Sequence, residues 1–304
     1  MTTAQQPTVL FWNDFAKQKI PLRFEWACGS DCILTADHRL RRRADAVVVH
    51  VAKLKTRREI GTVIAQILTK PRGQKWVAWS RESGTNYPLL HNRRFMNLFD
   101  ATLTYWREAT FWDPYVTAPE IHEMFTNPLL PKTEEKPTAL FVSGRANQSG
   151  RREVIKELMA HLPVDSYGKL YHNRMLPKDD WLPTKLATIA RYKFTIAFEN
   201  SIERDYVTEK IFQPWRMGSV PIYLGAPNID EYAPGPHSFI NVKDYTSVAE
   251  LAEYLSYLCE DEAAYNAYFD WKQGTLQSPL LQKIVDEEIQ GYEKFCTMLC
   301  SGAF

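Results

Sequence analysis

The stretch that decides the fold is ARYKFTIAFENSIERDYVTEKIFQPWRMGSVPIYLGAP, Ala190–Pro227. FTIAF and VPIYL are short apolar runs rich in β-branched and aromatic residues, as strands buried on both faces require. Between them lie a polar loop and a segment with helical spacing, so the unit reads strand–loop–helix–strand. Asp205 is placed to cap that helix, and Pro214 inside it should kink or shorten it. The same rhythm runs outward in both directions. Upstream come strands Thr8–Trp12, Ala46–Val51, Trp76–Trp79 and Leu103–Tyr105, with a helix between Lys53 and Leu68. After TNPLLPKTEEKPTA (Thr126–Ala139), a proline-rich linker, come strand Ala139–Ser143, helix Arg151–His161, and strands Val164–Tyr167 and Phe194–Phe198. Strands Val220–Leu224 and Phe239–Val242 follow, and then a helix Ser247–Cys259 opened by a capping box with Glu250. Alternation of this kind specifies a parallel-sheet α/β protein. The 304 residues divide into an N-terminal domain (1–130), a second α/β domain (131–275) and a helical C-terminal segment (276–304).

Composition narrows the chemistry. Apolar residues make up 45% and charged residues 24%, the balance of a globular protein rather than a disordered or fibrous one. Lys plus Arg (37) nearly cancels Asp plus Glu (36), so the basic footprint of a nucleic-acid binder is absent, and RLRRR (Arg39–Arg43) reads as a solvated face. No apolar run is long enough to span a bilayer, and no basic start followed by an apolar run marks a secretory signal. Five Cys is an odd number; Cys28, Cys32, Cys296 and Cys300 read as buried or incidental thiols, with no metal site implied.

In a parallel sheet, ligands sit at the loops beyond the strand C-terminal ends. FTIAF delivers Glu199, Asn200 and Ser201 to such a loop, and the helix that follows carries Tyr206, Glu209 and Lys210 in its first turns. A helix N-terminus suits a phosphate, Lys210 adds a full charge, and Glu209 can accept from ribose hydroxyls. These residues make a nucleoside-diphosphate site without the glycine-rich signature of a P-loop or dinucleotide fold. Glu199 reads as a structural hydrogen bonder.

YKFTIAFENS, DYVTEKIF and SVPIYLGAP, in this order and spacing, resemble the donor-binding signature of the α-1,3/4-fucosyltransferases, glycosyltransferase family 10. The resemblance continues through PHSFINVKDYTSVAELAEYL and YFDW, and backwards to FVSGRANQSGRREVIKEL. In the N-terminal half CILTADHRLRRRADAVVVH, WVAWSRESGTNYPLL and FMNLFDATLTYW are similar to family segments. It covers roughly 25–115 and 138–275.

The resemblance implies a GT-B fold, two Rossmann-like domains with parallel sheets facing across a cleft. It implies GDP-fucose as donor and an oligosaccharide acceptor containing GlcNAc, with inversion at the fucose anomeric carbon. Glu82 would be the general base. Arg151, with adjacent Arg152 as the alternative, and Lys210 would neutralise the diphosphate. Asn200, Tyr206 and Glu209 would contact the nucleotide, and His50, Trp79 and Tyr87 the acceptor, with Trp12 a further stacking surface. No cofactor is required, no metal is bound, and a divalent cation enters only as a stimulant. A soluble bacterial-type enzyme, cytoplasmic or peripheral at the inner membrane, is expected; a chain cut from an anchored animal protein would belong in the Golgi lumen. The rivals are a transferase using another nucleotide sugar and an inactive glycan- or nucleotide-binding relative. The chain departs from the family in three places. RESGTN lacks the proline of the Glu-Ser-Pro segment; Val51, Ala52 and Lys53 follow His50 where acceptor choice is tuned; and Pro214 interrupts a helix.

Overall fold

The computed structural model describes residues 6–13, 20, 24–25, 31–176 and 182–304. Strands β1 (Thr8–Phe11), β2 (Ile33–Thr35), β3 (Ala46–His50), β4 (Lys75–Ser80), β5 (Ala101–Thr104) and β6 (Phe111–Trp112) form one sheet in the order β2-β1-β3-β4-β5-β6. Strands β7 (Thr138–Leu140), β8 (Val164–Ser166), β9 (Phe194–Phe198), β10 (Val220–Leu224) and β11 (Ile240–Asn241) form a second, in the order β11-β10-β9-β7-β8. Every pairing among the described residues is parallel. The largely apolar strands β3, β9 and β10 are buried at every position, His50 of β3 and Thr195 of β9 included, because helices cover both faces of each sheet.

The period of two in the strands sorts the core. Val47 and Val49 pack with Leu10, Trp76, Val63 and Ile67, whereas Val48 turns to the opposite face with Val9, Val77, Trp79 and Leu103. In the second sheet Leu140, Ile196 and Ile222 meet Ile155, Leu158, Leu251 and Leu255 of the helices Arg151–His161 and Val248–Glu260.

The chain divides into two compact units, Met1–Pro114 with Ile289–Phe304, and Tyr115–Glu288. The boundary expected after residue 130 therefore falls earlier. Residues 118–126 form a helix of the second unit, opened by a Thr117–Glu120 capping box. The C-terminal segment is not one element. Helix Pro279–Asp286 stays with the second unit, while helix Gly291–Cys300 returns to the first and sets Tyr292 and Phe295 against Phe24, Val77 and Leu103.

Several element ends shift for local reasons. The helix expected from Lys53 begins at Arg57, because Thr56 Oγ1 accepts from Glu59 N–H while Glu59 accepts from Lys55 and Thr56 N–H. At Ser247 the box is displaced: Ser247 Oγ accepts from Glu250 N–H, but Glu250 reaches back to Thr246. Cys296 is disulfide-bonded, which corrects its reading as an incidental thiol. Cys32 and Cys300 are unbonded, their sulfurs 3.0 Å apart, and Cys28 lies outside the described residues.

Candidate active site

Glu199 sits one residue past β9 and is fully buried. Its backbone N–H donates to Leu224 O at 2.7 Å, continuing the β9–β10 ladder. Its carboxylate accepts from the Thr208 N–H and hydroxyl at 2.8 Å and lies 3.1 Å from Lys210 Nζ. Gly225 makes this approach possible: a Cβ there would stand 2.7 Å from Glu199 Cγ and 2.4 Å from the Tyr223 hydroxyl.

Thr208, not Asp205, caps the helix Glu209–Met217. Asp205 instead holds the preceding loop. Its backbone is left-handed at φ 63, and its buried carboxylate accepts from Asn228 Nδ2 and the Tyr232 hydroxyl. Pro214 does lie inside this helix, which ends soon after it at Gly218, φ 67.

Lys210 donates to Thr208 Oγ1 at 2.8 Å and pairs with both Glu199 and Glu209. Burial pulls its ammonium down, but the two carboxylates outweigh burial and hold it above the ordinary lysine value. Burial pushes Glu199 up, opposed by Lys210 and by the Thr208 hydrogen bonds.

Arg151 opens the helix Arg151–His161 behind Gly150, φ 72. It is 2% exposed while Arg152 is exposed, so the buried guanidinium is that of Arg151. Its Nη1 donates to Phe198 O at 3.1 Å and its Nη2 to Gly144 O at 3.3 Å, whereas its buried Nε has no partner among the described residues. Burial lowers its pKa, and Glu199, Tyr206 and Glu209 act against that shift. The structure thus gathers Arg151, Lys210, Tyr206 and Glu209 about the end of β9. Asn200 joins them: its carbonyl accepts from Ser149 N–H, and its side chain accepts from the Ser201 hydroxyl.

A residue that motif reading missed is Lys185, on the helix Leu182–Ile189, with Nζ 5.5 Å from the centre of the Phe141 ring. Burial lowers its pKa; among its neighbours Glu209 and Glu199 favour its charge and Lys210 opposes it. It is a third cation at this site. No local pattern marks it, since only the tertiary fold brings it to Glu209.

In the first unit, Glu82 follows β4 and is half-buried. Its N–H donates to Ser80 Oγ at 3.0 Å, which fixes the turn. Beside it Arg81 and Asp113 form a buried ion pair at 2.6 Å. Tyr87 is close enough that Glu82, after burial itself, raises its phenol pKa. Gly84 stands where the family pattern has proline. A Cβ there would meet His91 Nε2 at 2.5 Å, and its N–H donates to the Tyr105 hydroxyl at 3.2 Å. A proline would satisfy neither condition.

His50 ends β3 opposite Trp79 of β4, with ring centres 4.6 Å apart. Both are 2% exposed, and Trp79 donates to the Tyr292 hydroxyl at 3.0 Å within the core. Trp79 is therefore a core residue rather than an acceptor platform, which corrects that expectation. Tyr87 remains half-exposed.

The second unit has the parts of a nucleoside-diphosphate site, and the first places one carboxylate at a strand end. Two family models cover almost the whole chain: "Fucosyltransferase, N-terminal" over residues 4–116 and "Glycosyltransferase family 10 (fucosyltransferase) C-term" over 131–302. The chain belongs to glycosyltransferase family 10.

Among relatives of this fucosyltransferase-family chain, the 4-galactosyl-N-acetylglucosaminide 3-alpha-L-fucosyltransferase FUT6 of Pan troglodytes is 34% identical over 279 residues, 88% of this chain and 73% of that protein. FUT5 of Homo sapiens, with the same descriptive name, is 33% identical over 285 residues, 90% and 72%. A crystal structure of an alpha1,3-fucosyltransferase with GDP-fucose shares the fold at a TM-score of 0.58 and 17% identity, covering 97% of this chain and 92% of that one. The fold class is that of these enzymes, GT-B-like with two parallel sheets. Among the described residues no helix is long and apolar enough to cross a membrane, and no group of three or more His, Cys, Asp or Glu is placed to hold a metal ion.

Proposed function

We propose that this family 10 glycosyltransferase moves L-fucose from GDP-fucose to the 3-hydroxyl of GlcNAc in a lactosamine-type glycan. The observation that carries the donor half is the pairing of Arg151, whose buried Nε has no partner among the described residues, with Lys210, held protonated by two carboxylates. A desolvated guanidinium with an unused donor is suited to phosphate oxygens, and Lys210 adds a point charge.

The bond from the fucose anomeric carbon to the GDP phosphate oxygen breaks as the acceptor oxygen forms its bond on the opposite face. The acceptor hydroxyl proton passes to Glu82, and the charge left on GDP is met by Arg151 and Lys210, with Lys185 alongside. Opposed base and leaving group give inversion, the logic of inverting glycosidases with a sugar hydroxyl in place of water. Cations already in place when charge develops lower the barrier without reorganising. Glu209 and Tyr206 take the ribose and nucleotide, and half-buried Tyr87 beside Glu82 supplies an acceptor surface.

The test is transfer from GDP-fucose, GDP-mannose and UDP-sugars to lactosamine, a type I disaccharide and an N-glycan core, read by mass and linkage analysis. A fucosylated product linked α-1,3 to GlcNAc is expected. A product from another donor only, or GDP binding without turnover on any acceptor, would overturn the reading.

A further inference from the structure

The two units carry opposite charge. Met1–Pro114 with Ile289–Phe304 holds 19 Lys and Arg against 11 Asp and Glu, a net of +8, whereas Tyr115–Glu288 holds 18 against 25, a net of −7. Near-neutrality of the whole chain therefore hides a basic half. Part of that excess gathers where the reaction described above makes no use of it, at the N-terminal ends of β3 and β4.

β3 and β4 are parallel, so the loops that lead into them meet at one edge of the first sheet. Gln74 Nε2 ties the two loops together, donating to Arg41 O at 2.6 Å and to Ala44 O at 2.7 Å. The first loop carries Arg41, Arg42 and Arg43, and the second carries Arg72. Arg42, Arg43 and Arg72 are exposed and Arg41 is half-exposed. None of the four forms an ion pair among the described residues. The carboxylates of this edge are already engaged. Asp45 accepts from Thr8 N–H at 2.7 Å, and Asp100 accepts from Trp76 N–H and from Lys70 Nζ, both at 2.6 Å. The guanidinium charge is thus uncompensated.

An apolar side chain projects from the same edge. The helix Arg57–Leu68 ends just before the second loop, and its last residue, Leu68, is 71% exposed. Val63 and Ile67 of this helix enter the core, whereas Gly61, Ala65 and Leu68 make an uncharged strip on its outer face. A lone exposed leucine is ordinary, but this one stands among unpaired arginines. A nucleic-acid duplex would meet the arginines and give the leucine no apolar layer. An anionic bilayer accepts both, with phosphates at the headgroups and the acyl boundary about 5–10 Å beneath.

We infer that this edge docks the protein on an anionic membrane surface, with Arg42, Arg43 and Arg72 at the headgroups and Leu68 inserted between them. β4 is six residues long, about 20 Å, so the strand end that carries Glu82 lies at the far edge of the sheet and stays open to substrates. The docking surface and the transfer reaction are therefore separate, and each is tested without the other.

The experiment is co-sedimentation of the whole chain with phosphatidylcholine vesicles and with vesicles that also contain about 30 mol% phosphatidylglycerol, at low and high salt. The wild type should bind the anionic vesicles, release them at high salt, and leave the neutral ones unbound. Each arginine at such a surface is worth about fivefold in binding, so Arg42→Ala/Arg43→Ala/Arg72→Ala should weaken association about a hundredfold. The corresponding triple lysine variant should stay within about threefold of the wild type, because headgroup attraction follows charge rather than the guanidinium fork. Leu68→Ser should weaken binding about fivefold through lost apolar contact. All these side chains are exposed or at the rim, and thermal unfolding of the variants should match the wild type.

Equal binding to both vesicle types, binding to neither, or a triple alanine variant that binds like the wild type overturns the inference. Two further results would also overturn it. Tight binding of a DNA duplex, with Leu68→Ser leaving vesicle binding unchanged, would make the edge a nucleic-acid surface. Self-association without vesicles, seen by light scattering and abolished in the triple alanine variant, together with no vesicle binding, would make it an interface between copies of the chain.

Discussion

Replacing Lys210 separates what the site needs for folding from what it needs for chemistry. Glu199 is fully buried and Lys210 Nζ lies 3.1 Å from its carboxylate, so Lys210→Ala leaves a carboxylate in the interior without its cation. Breaking a buried pair from one side costs about 3–5 kcal/mol. The Thr208 N–H and hydroxyl remain on the carboxylate, which argues for the lower end, about 3 kcal/mol. At ~2–4 °C per kcal/mol for a unit of this size, the melting temperature should fall by about 6–12 °C. With Lys210 absent, burial raises Glu199 unopposed by that cation. A folded-state pKa above the unfolded one means that stability is fully present below the ordinary carboxylate range and is lost as pH rises through the raised value. The loss should therefore be smallest in acid and grow toward neutrality. Turnover should drop about a hundredfold, as when one preorganised donor to a developing anion is removed.

The decisive comparison is with the double variant Lys210→Ala/Glu199→Gln. Glutamine needs no cation, so thermal unfolding should recover most of the lost stability. Fucosyl transfer, followed by product mass at saturating acceptor, should stay about a hundredfold low. Activity that returned with stability would show that Lys210 serves only the fold, and the assignment of the diphosphate to this site would fall.

Four further outcomes follow from the same geometry. Glu82→Gln should reduce transfer at least a hundredfold while GDP affinity, measured by calorimetry, stays within about twofold; near-normal turnover would remove Glu82 from the mechanism. Lys185→Ala should raise KM for GDP-fucose about fivefold, ~1 kcal/mol, with thermal stability nearly unchanged, and an unaltered KM would exclude it from the donor site. Gly84→Ala should cost about 1–3 kcal/mol, because the added Cβ meets His91 at 2.5 Å, and His91→Ala in the same chain should recover much of it. Cys296→Ser should lower the melting temperature to the value the wild type shows in reductant, a loss of about 2–4 kcal/mol. Insensitivity of the wild type to reductant would show that the disulfide does not support the fold.

The parallel α/β class was legible because β3, β9 and β10 are near-continuous apolar runs, broken only by His50 and Thr195, a pattern that strands covered on both faces sustain. What escaped was short or masked by punctuation. β6 is two residues, and β2 three, with Ile33 exposed. The helix Ala118–Thr126, just ahead of the Thr126–Ala139 linker, was not among the expected elements, although the Thr117–Glu120 spacing with Pro119 in the first turn is a start signal. Preference for Asp205 as cap followed composition; the loop needed that carboxylate for Asn228 and Tyr232, and Thr208 was left to cap.

The candidate donor site was more legible than the acceptor edge, and the reason is physical. Arg151, Asn200, Tyr206, Glu209 and Lys210 lie within or beside two continuous strand–helix units, so sequence order nearly dictates proximity. The acceptor edge draws single residues from several strand ends, and there exposure decides more than residue type. Trp79 and His50 are both 2% exposed, which sends an aromatic with a plausible stacking role into the core. Val51 and Ala52 are 1% and 4% exposed, so of the three residues that depart from the family after His50 only Lys53 meets solvent. Substitutions at Val51 or Ala52 can thus alter acceptor choice only by reshaping packing beneath the edge, with a stability change alongside. Lys53 can act directly through charge. A charge swap at Lys53 that altered acceptor preference without moving the melting temperature would separate these two routes, whereas coupled changes would place Lys53 with the packing residues.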